Sequence, residues 1–189
     1  MSTSVSLRLT TRQIAVAGLM GAVAILLGAT RLGFIPWVTG IALTVMHVPV
    51  IIGAVLEGPV VGVIIGAIFG VFSLVWANIG PVGPGSLFFR DPLVAILPRL
   101  FIGVVAWLAY RAFSFNQVGA LIAAGILGSL TNTVLVLGAI GLRGYAPWLA
   151  LLPVATGNGL PEAGVAAFIT LAVIAAWKRL EVGRGGAQL

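Results

Sequence analysis

The stretch of residues 44–72 constrains the fold of this chain more than any other. It consists of two apolar runs that meet at Glu57-Gly58-Pro59, and the second run carries a glycine at every fourth position. Residues four apart share one face of an α-helix, and membrane helices often pack closely through small residues at this interval. We therefore predict a helix that packs within its own bundle through the glycines Gly58, Gly62, Gly66 and Gly70.

The composition indicates a lipid bilayer as the solvent of this fold. Only 7% of the 189 residues are charged and 60% are hydrophobic, whereas soluble domains carry about 25% charged residues. We predict an all-α integral membrane protein, with one six-helix bundle over residues 1–189. Since a membrane helix needs about 20 apolar residues, the predicted helices cover about residues 11–29, 40–56, 59–77, 91–113, 117–139 and 158–178.

Basic residues lie at the ends of the apolar runs. The net charge of +6 therefore indicates membrane orientation rather than a nucleic-acid partner, because cytoplasmic loops carry an excess of Lys and Arg. We expect both termini in the cytoplasm and a multi-pass protein of the cell membrane. This orientation puts six basic residues inside (Arg8, Arg12, Arg111, Lys178, Arg179 and Arg184) and three outside (Arg31, Arg90 and Arg143).

Four polar side chains from four predicted helices fall at similar depths below the outer ends of those helices, given a rise of about 1.5 Å per residue. A charged group at the bilayer centre costs about 2.5–17 kcal/mol, so such groups face the protein interior and often mark function. The pattern predicts a polar pocket that opens outward, although a structural ion pair between Arg99 and Glu162 is the alternative. The four residues are His47, Arg99, Asn132 and Glu162.

Some residues near this layer have two interpretations each. His47 is either a site residue or a packed side chain whose polar atoms are satisfied inside the bundle. The aromatic residues of the first and third predicted loops either form the interfacial belt typical of membrane proteins or cover the pocket. These aromatic residues are Phe34, Trp37 and Phe88.

The sequence offers no catalytic constellation. With one histidine and no cysteine, it lacks the ligands of a usual metal site and a nucleophile–base pair. No phosphate-binding G-x-x-x-x-G-K-[ST] motif occurs. We expect no enzyme, no metal and no cofactor. The function classes left open are a ligand-binding transport subunit, a stand-alone proton-coupled carrier that uses Glu162, and a purely structural membrane subunit.

Several motifs, taken in their order, resemble the S components of energy-coupling factor (ECF) transporters. They are HVPVIIGAVLEGPVVGVIIGAIFGVFS (47–73), LPRLFIGVVAWLAYR (97–111), GSLTNTVLVL (128–137) and GNGLPEAGVAA (157–167). The resemblance implies a six-helix subunit that captures a vitamin from outside. It also implies a separate transmembrane coupling subunit and two cytosolic ATPases, with the coupling subunit meeting the small residues Ala17, Gly18, Gly21 and Ala22 of the first helix.

Within that family the motifs most resemble the pantothenate-type members, while cobalamin, folate and riboflavin stay open as alternatives. Arg99 would suit a carboxylate, and Asn132, Asn158 and Glu162 would suit hydroxyls and an amide. The resemblance therefore implies a substrate site that contains Arg99, Asn132, Asn158, Glu162, His47, Phe34, Trp37, Phe88 and Thr131.

Overall fold

The computed structural model describes residues 9–35, 37, 43–81 and 84–185, with the backbone alone for residues 84 and 179–185. A 3-10 helix, Pro84–Arg90, precedes α4, and the strands β1 (Phe34–Ile35) and β2 (Leu43–Thr44) pair antiparallel. The α-helices in these ranges are α1 (Thr11–Ala29), α2 (Val48–Glu57), α3 (Pro59–Ile79), α4 (Pro92–Ala95), α5 (Leu97–Ala112), α6 (Gln117–Leu142), α7 (Trp148–Gly157) and α8 (Gly159–Gly185).

Within the described part of the chain, five segments are long and apolar enough to cross a membrane. This result confirms a helical membrane architecture, but it does not confirm the six spans expected from the sequence. The five segments are Thr11–Ala29, Pro59–Ile79, Pro92–Ala112, Gln117–Leu142 and Trp148–Lys178.

The prediction of a membrane-spanning helix over residues 40–56 is wrong. Helix α2 has only 10 residues, about 15 Å of length at the rise of an α-helix. Pro49 does not kink the middle of a long helix; it lies in the first turn of α2, where its missing N–H costs nothing. The residues just before His47 turn away into β2, and residues 40–42 lie outside the described ranges.

The glycine face of α3 packs against α5, as the spacing predicts. A Cβ atom on Gly62 would lie 2.9 Å from the Cα atom of Gly103, and one on Gly70 would lie 2.8 Å from the Cα atom of Ile96. At Gly66 it would lie 2.2 Å from the carbonyl oxygen of Arg99. Only glycine allows these two backbones to approach so closely. The prediction is wrong for Gly58, which does not pack on this face: it precedes α3, has φ at +100° and forms the turn between α2 and α3.

Helix α1 presents only half of its predicted partner-binding residues to the outside. Ala17 and Gly21 are buried, and a Cβ atom on Gly21 would meet the Ile68 side chain of α3 at 2.8 Å. Gly18 and Ala22 are exposed, and a Cβ atom on Gly18 would meet nothing within 4 Å. The sequence showed small residues on two sides of this helix, and the structure assigns one side to α3 and the other to the surface.

Contacts between helices fix the direction of each one in the bundle. An ion pair of 2.6 Å joins Arg12 to Glu57, so α1 begins where α2 ends. Helix α8 runs antiparallel to α6, since a Cβ atom on Gly125 would touch Ala167 and one on Gly159 would touch Thr133. The C-terminal ends of α3 and α6 therefore meet the N-terminal ends of α5 and α8 at one end of the bundle. Arg8 lies outside the described residues.

Candidate ligand-binding site

A cavity of about 700 Å³ opens at the end of the bundle where α3 and α6 end and α5 and α8 begin. Its volume is in the range of small-molecule sites, and its wall is mostly apolar with a few polar groups, as is usual for such sites. The polar or aromatic residues of the wall are Phe34, Thr44, Phe69, Phe72, Ser73, Trp76, Ser86, Phe88, Phe89, Arg99, Asn132, Thr133, Asn158 and Glu162.

Arg99 is a buried cation in this wall. Its side chain is only 4% exposed, and its guanidinium carbon lies 5.3 Å from the ring centroid of Phe69 and 4.7 Å from that of Phe89. Its Nη1 donates a hydrogen bond to the carbonyl oxygen of Val94, while its buried Nε has no hydrogen-bond partner among the described residues. Buried charges are normally paired, so this guanidinium has the capacity to bind an anion.

The local sequence explains why Arg99 occupies this position. Pro98 has no N–H and cannot donate to the carbonyl of Val94 four residues earlier, so the helix is interrupted at Ile96 between α4 and α5. The Arg99 side chain donates to that carbonyl instead. The hydrogen bond to the carbonyl that Pro98 leaves free thus fixes the position of the Arg99 guanidinium at the start of α5. For the same reason the predicted helix over residues 91–113 is two helices.

The structural ion pair proposed as an alternative does not form. No salt bridge joins Arg99 to any described carboxylate. Glu162 contacts the first loop, since its Oε1 accepts a hydrogen bond of 2.7 Å from the backbone N–H of Thr44 in β2. Both charged groups therefore reach the cavity wall separately, each held by backbone.

Two amide side chains complete the polar part of the wall. Asn132 is 8% exposed, and no described residue donates a hydrogen bond to its buried Oδ1. Asn158, at the junction between α7 and α8, is 4% exposed. A buried acceptor without a donor costs about 1–3 kcal/mol. A ligand that donates to Asn132 Oδ1 would remove this cost.

Of the nine residues expected in the site, six line the cavity: Phe34, Phe88, Arg99, Asn132, Asn158 and Glu162. The other three do not. Trp37 donates its Nε1–H to the carbonyl oxygen of Gly157 at 3.0 Å. His47 is fully buried, does not line the cavity, and has no hydrogen-bond partner for either ring nitrogen in the described part of the chain.

Thr131 is the third, and it faces the outside of the bundle. Its hydroxyl donates to the carbonyl oxygen of Leu127 at 2.6 Å, and it lines a shallow apolar groove between α5 and α6. Thr133 lines the cavity instead. Each residue turns the side chain by about 100° around a helix axis, so a difference of two positions reverses the direction.

The last turns of α3 carry an aromatic face that is not among the predicted site residues. Phe69, Phe72 and Trp76 all line the cavity, and the rings of Phe72 and Trp76 stack at 5.4 Å. The Nε1–H of Trp76 is buried and has no hydrogen-bond partner within the described ranges, although buried indoles usually find one. The signal was present in the spacing of three and four residues, which places all three on one helix face.

A polar cluster stands beside the cavity without lining it. Asp91 Oδ2 accepts hydrogen bonds from Arg143 Nε at 2.6 Å and from Tyr145 Oη at 2.9 Å, while its Oδ1 accepts from the N–H of Leu93 at 2.9 Å. The bond from Leu93 and then those from Tyr145 and Arg143 hold the pKa of Asp91 below its ordinary value. Asp91 therefore stays ionised at neutral and mildly acidic pH, and this pairing is lost only as the pH falls through that lowered pKa.

The fold and the cavity define a multi-pass membrane protein that can hold a small anionic or polar molecule. Comparison with known proteins agrees with this class. A family model described as "ECF transporter, substrate-specific component" matches residues 12–174. The chain therefore belongs to the family of substrate-specific components of ECF transporters. These proteins are transporter components and not enzymes, and the family implies a vitamin substrate and partners in an ECF module.

Two curated relatives carry a more specific name. The "Pantothenic acid transporter PanT" of Lactococcus lactis subsp. cremoris is 31% identical over 159 residues, which cover 74% of this chain and 80% of the relative. The "Pantothenate transporter PanT" of Leuconostoc mesenteroides subsp. mesenteroides is 34% identical over 112 residues, 54% of each chain. The resemblance to S components inferred from the motifs is confirmed by these matches.

Proposed function

We propose that this chain binds pantothenate in the cavity from the external side of the cytoplasmic membrane. A separate transmembrane coupling subunit and two cytosolic ATPases then drive its import. The observation that carries this proposal is the buried guanidinium of Arg99 in the wall of the cavity, which has no carboxylate partner among the described residues. The names of the two relatives favour pantothenate over other vitamins.

The chemistry of the wall suits this ligand. Pantothenate carries one carboxylate, one amide and two hydroxyls. Arg99 supplies a cation for the carboxylate, and charge-assisted hydrogen bonds of this kind are the stronger ones. Asn132 Oδ1 accepts from a hydroxyl or the amide N–H, and Trp76 Nε1–H is a donor without a partner. The aromatic face of α3 and the apolar remainder of the wall cover the carbon skeleton.

The distribution of basic residues supports an outward-facing cavity. Arg31, Arg90 and Arg143 belong to the cavity end of the bundle, while Arg12, Arg111 and Lys178 belong to the opposite end. The sequence adds Arg8, Arg179 and Arg184 to that opposite end. Because the cytoplasmic side carries the excess of basic residues, the opposite end is the cytoplasmic one and both termini lie there.

Calorimetry with protein purified in detergent tests the ligand. We expect tight binding of pantothenate and none of cobalamin, folate or riboflavin at the same concentrations. Tight binding of another vitamin would refute the assignment to pantothenate. Uptake by the lone protein in liposomes would instead support the carrier hypothesis, in which Glu162 moves a proton.

Asn132→Ala is expected to weaken pantothenate binding by about 1–3 kcal/mol, the scale for a buried polar group that loses its partner. The matched control is Thr131→Val, one position away on the outer face of α6, which should leave the affinity unchanged. Titration calorimetry on both variants measures the difference. Equal affinities for Asn132→Ala and the unmodified protein would show that the ligand does not reach this part of the wall.

Ala22→Trp on the exposed face of α1 is expected to prevent assembly with the coupling subunit and to spare pantothenate binding. The exposed small residues Gly18 and Ala22 leave a shallow surface that another helix can approach closely, and an indole would fill it. Co-purification with the coupling subunit measures assembly.

Gly21→Leu is the contrasting variant. Because Gly21 faces Ile68, its replacement should lower thermal stability. Full assembly of the Ala22→Trp variant would place the interface elsewhere.

A further inference from the structure

The 3-10 helix Pro84–Arg90 covers part of the cavity. Four of its residues line the wall, namely Gly85, Ser86, Phe88 and Phe89, and the ring of Phe89 lies over the guanidinium of Arg99 at 4.7 Å. A 3-10 helix has poorer hydrogen-bond geometry than an α-helix. The position of so short an element therefore depends on the contacts it makes with its neighbours.

Those contacts fasten the segment to two different parts of the bundle. On one side, Arg90 Nε donates to the carbonyl oxygen of Ala77 in α3 at 3.1 Å. On the other side, Asp91 directly follows the 3-10 helix, and its N–H donates to the carbonyl oxygen of Phe88 at 3.3 Å. Its carboxylate accepts from Arg143 and Tyr145 in the turn between α6 and α7. The ring of Tyr145 also stacks on Phe88 with centroids 6.0 Å apart. Since Ala77 of α3 and Ile140 of α6 both line the cavity, the 3-10 helix bridges its two sides.

We propose that Asp91, Arg143 and Tyr145 form a latch that holds the 3-10 helix over Arg99 and sets how fast the bound ligand leaves. None of the three lines the cavity, so they act by positioning. The timing of release rests on the proposed function, whereas the latch itself does not. A ligand at Arg99 lies beneath Phe89, and its exit requires the 3-10 helix to move. That movement separates Phe88 from Tyr145 and Asp91 from Arg143.

The interactions of the latch are weak enough to break and re-form while the ligand is bound, so they can set its dissociation rate. Arg143 is half exposed, and ion pairs at water-accessible positions are weak. The cluster can therefore open and close without unfolding any helix. Within the described part of the chain, the charged and titratable side chains that bond to Asp91 are Arg143 and Tyr145 from the facing turn.

Two conservative variants isolate the latch. Tyr145→Phe keeps the ring that stacks on Phe88 and removes the hydroxyl. Asp91→Asn removes the charge and keeps a good N-cap residue for α4. In stopped-flow measurements with pantothenate, each variant is expected to speed dissociation about fivefold, the scale of one lost hydrogen bond. Asp91→Asn combined with Arg143→Gln should match Asp91→Asn alone, because both changes break the same pair.

The chain offers a closely matched control at the opposite end of the bundle. The pair Arg12–Glu57 has the same length of 2.6 Å, an arginine of similar exposure (57% against 50%) and an equally buried carboxylate (9% in both). Arg12→Gln should leave the dissociation rate unchanged. Wild-type dissociation rates in Tyr145→Phe and Asp91→Asn would overturn the latch, and so would an equal acceleration in Arg12→Gln.

A second measurement tests the latch without any ligand. The chain has no cysteine, so Thr133→Cys introduces a single thiol into the cavity wall. A water-soluble thiol reagent should label it about fivefold faster when Tyr145→Phe or Asp91→Asn is also present, again the scale of one hydrogen bond. Unchanged labelling would overturn the latch. Faster labelling in a protein that does not bind pantothenate would support the latch and refute the assigned ligand.

Discussion

Replacement of Arg99 by alanine is expected to weaken pantothenate binding about a hundredfold, roughly 3 kcal/mol, the upper part of the range for hydrogen bonds to charged groups. The guanidinium is the cation in the cavity wall that has no carboxylate partner among the described residues. A ligand carboxylate would therefore gain its strongest contact there. Titration calorimetry on the purified variant measures the loss.

Two further variants keep this prediction specific. Arg99→Lys retains the charge and loses the planar group that lies between Phe69 and Phe89, so we expect an intermediate affinity. Arg111→Gln removes an arginine from the other end of α5, where it lies over Trp107, and should bind as the unmodified protein does. Unimpaired binding by Arg99→Ala, with thermal stability preserved, would mean that the carboxylate binds elsewhere.

Gly66→Ala is expected to lower the free energy of unfolding by about 3 kcal/mol, the upper part of the usual range for overpacking. The added methyl group would lie 2.2 Å from the carbonyl oxygen of Arg99. Backbone cannot rotate away as a flexible side chain can, so α3 and α5 must separate. Because the displaced residue is Arg99, pantothenate binding should weaken as well. Thermal unfolding in detergent and calorimetry measure the two effects.

The same substitution at Gly164 serves as the control. Gly164 is exposed on α8, and an added Cβ atom would meet nothing within 4 Å. Alanine is favoured over glycine in helices by about 1 kcal/mol, so Gly164→Ala should be neutral or slightly stabilising. Equal stability of the Gly66 and Gly164 variants would show that α3 and α5 do not pack through their glycines.

The success of the glycine prediction has a simple cause. Spacing along a sequence directly encodes which residues share a helix face, and close packing then follows from the absence of a side chain. The distance of a residue from the end of its helix also follows from the sequence. Arg99, Asn132 and Glu162 therefore lie at one end of the bundle, as predicted. The sequence does not encode how each helix is rotated toward its neighbours. That is why Thr131 was expected in place of Thr133.

The error over residues 40–56 has a different origin. A proline in the middle of an apolar run fits both a kinked long helix and the first turn of a short helix, so Pro49 alone does not distinguish the two. The folded chain has a contact that favours the short helix. The N–H of Thr44 donates to Glu162, so β2, which precedes α2, is held as a strand. That contact joins positions 118 residues apart. Local patterns cannot report a partner so distant.

The pairing of Pro98 with Arg99 limits how this cavity can be redesigned. The arginine side chain supplies the donor that the proline withholds from the carbonyl of Val94. Exchange of Arg99 alone for a neutral residue, as a binder of an uncharged vitamin would require, leaves that carbonyl buried without a donor. A designer would have to restore an N–H at position 98 in the same step. Ligand charge and main-chain geometry thus have to change together in this protein.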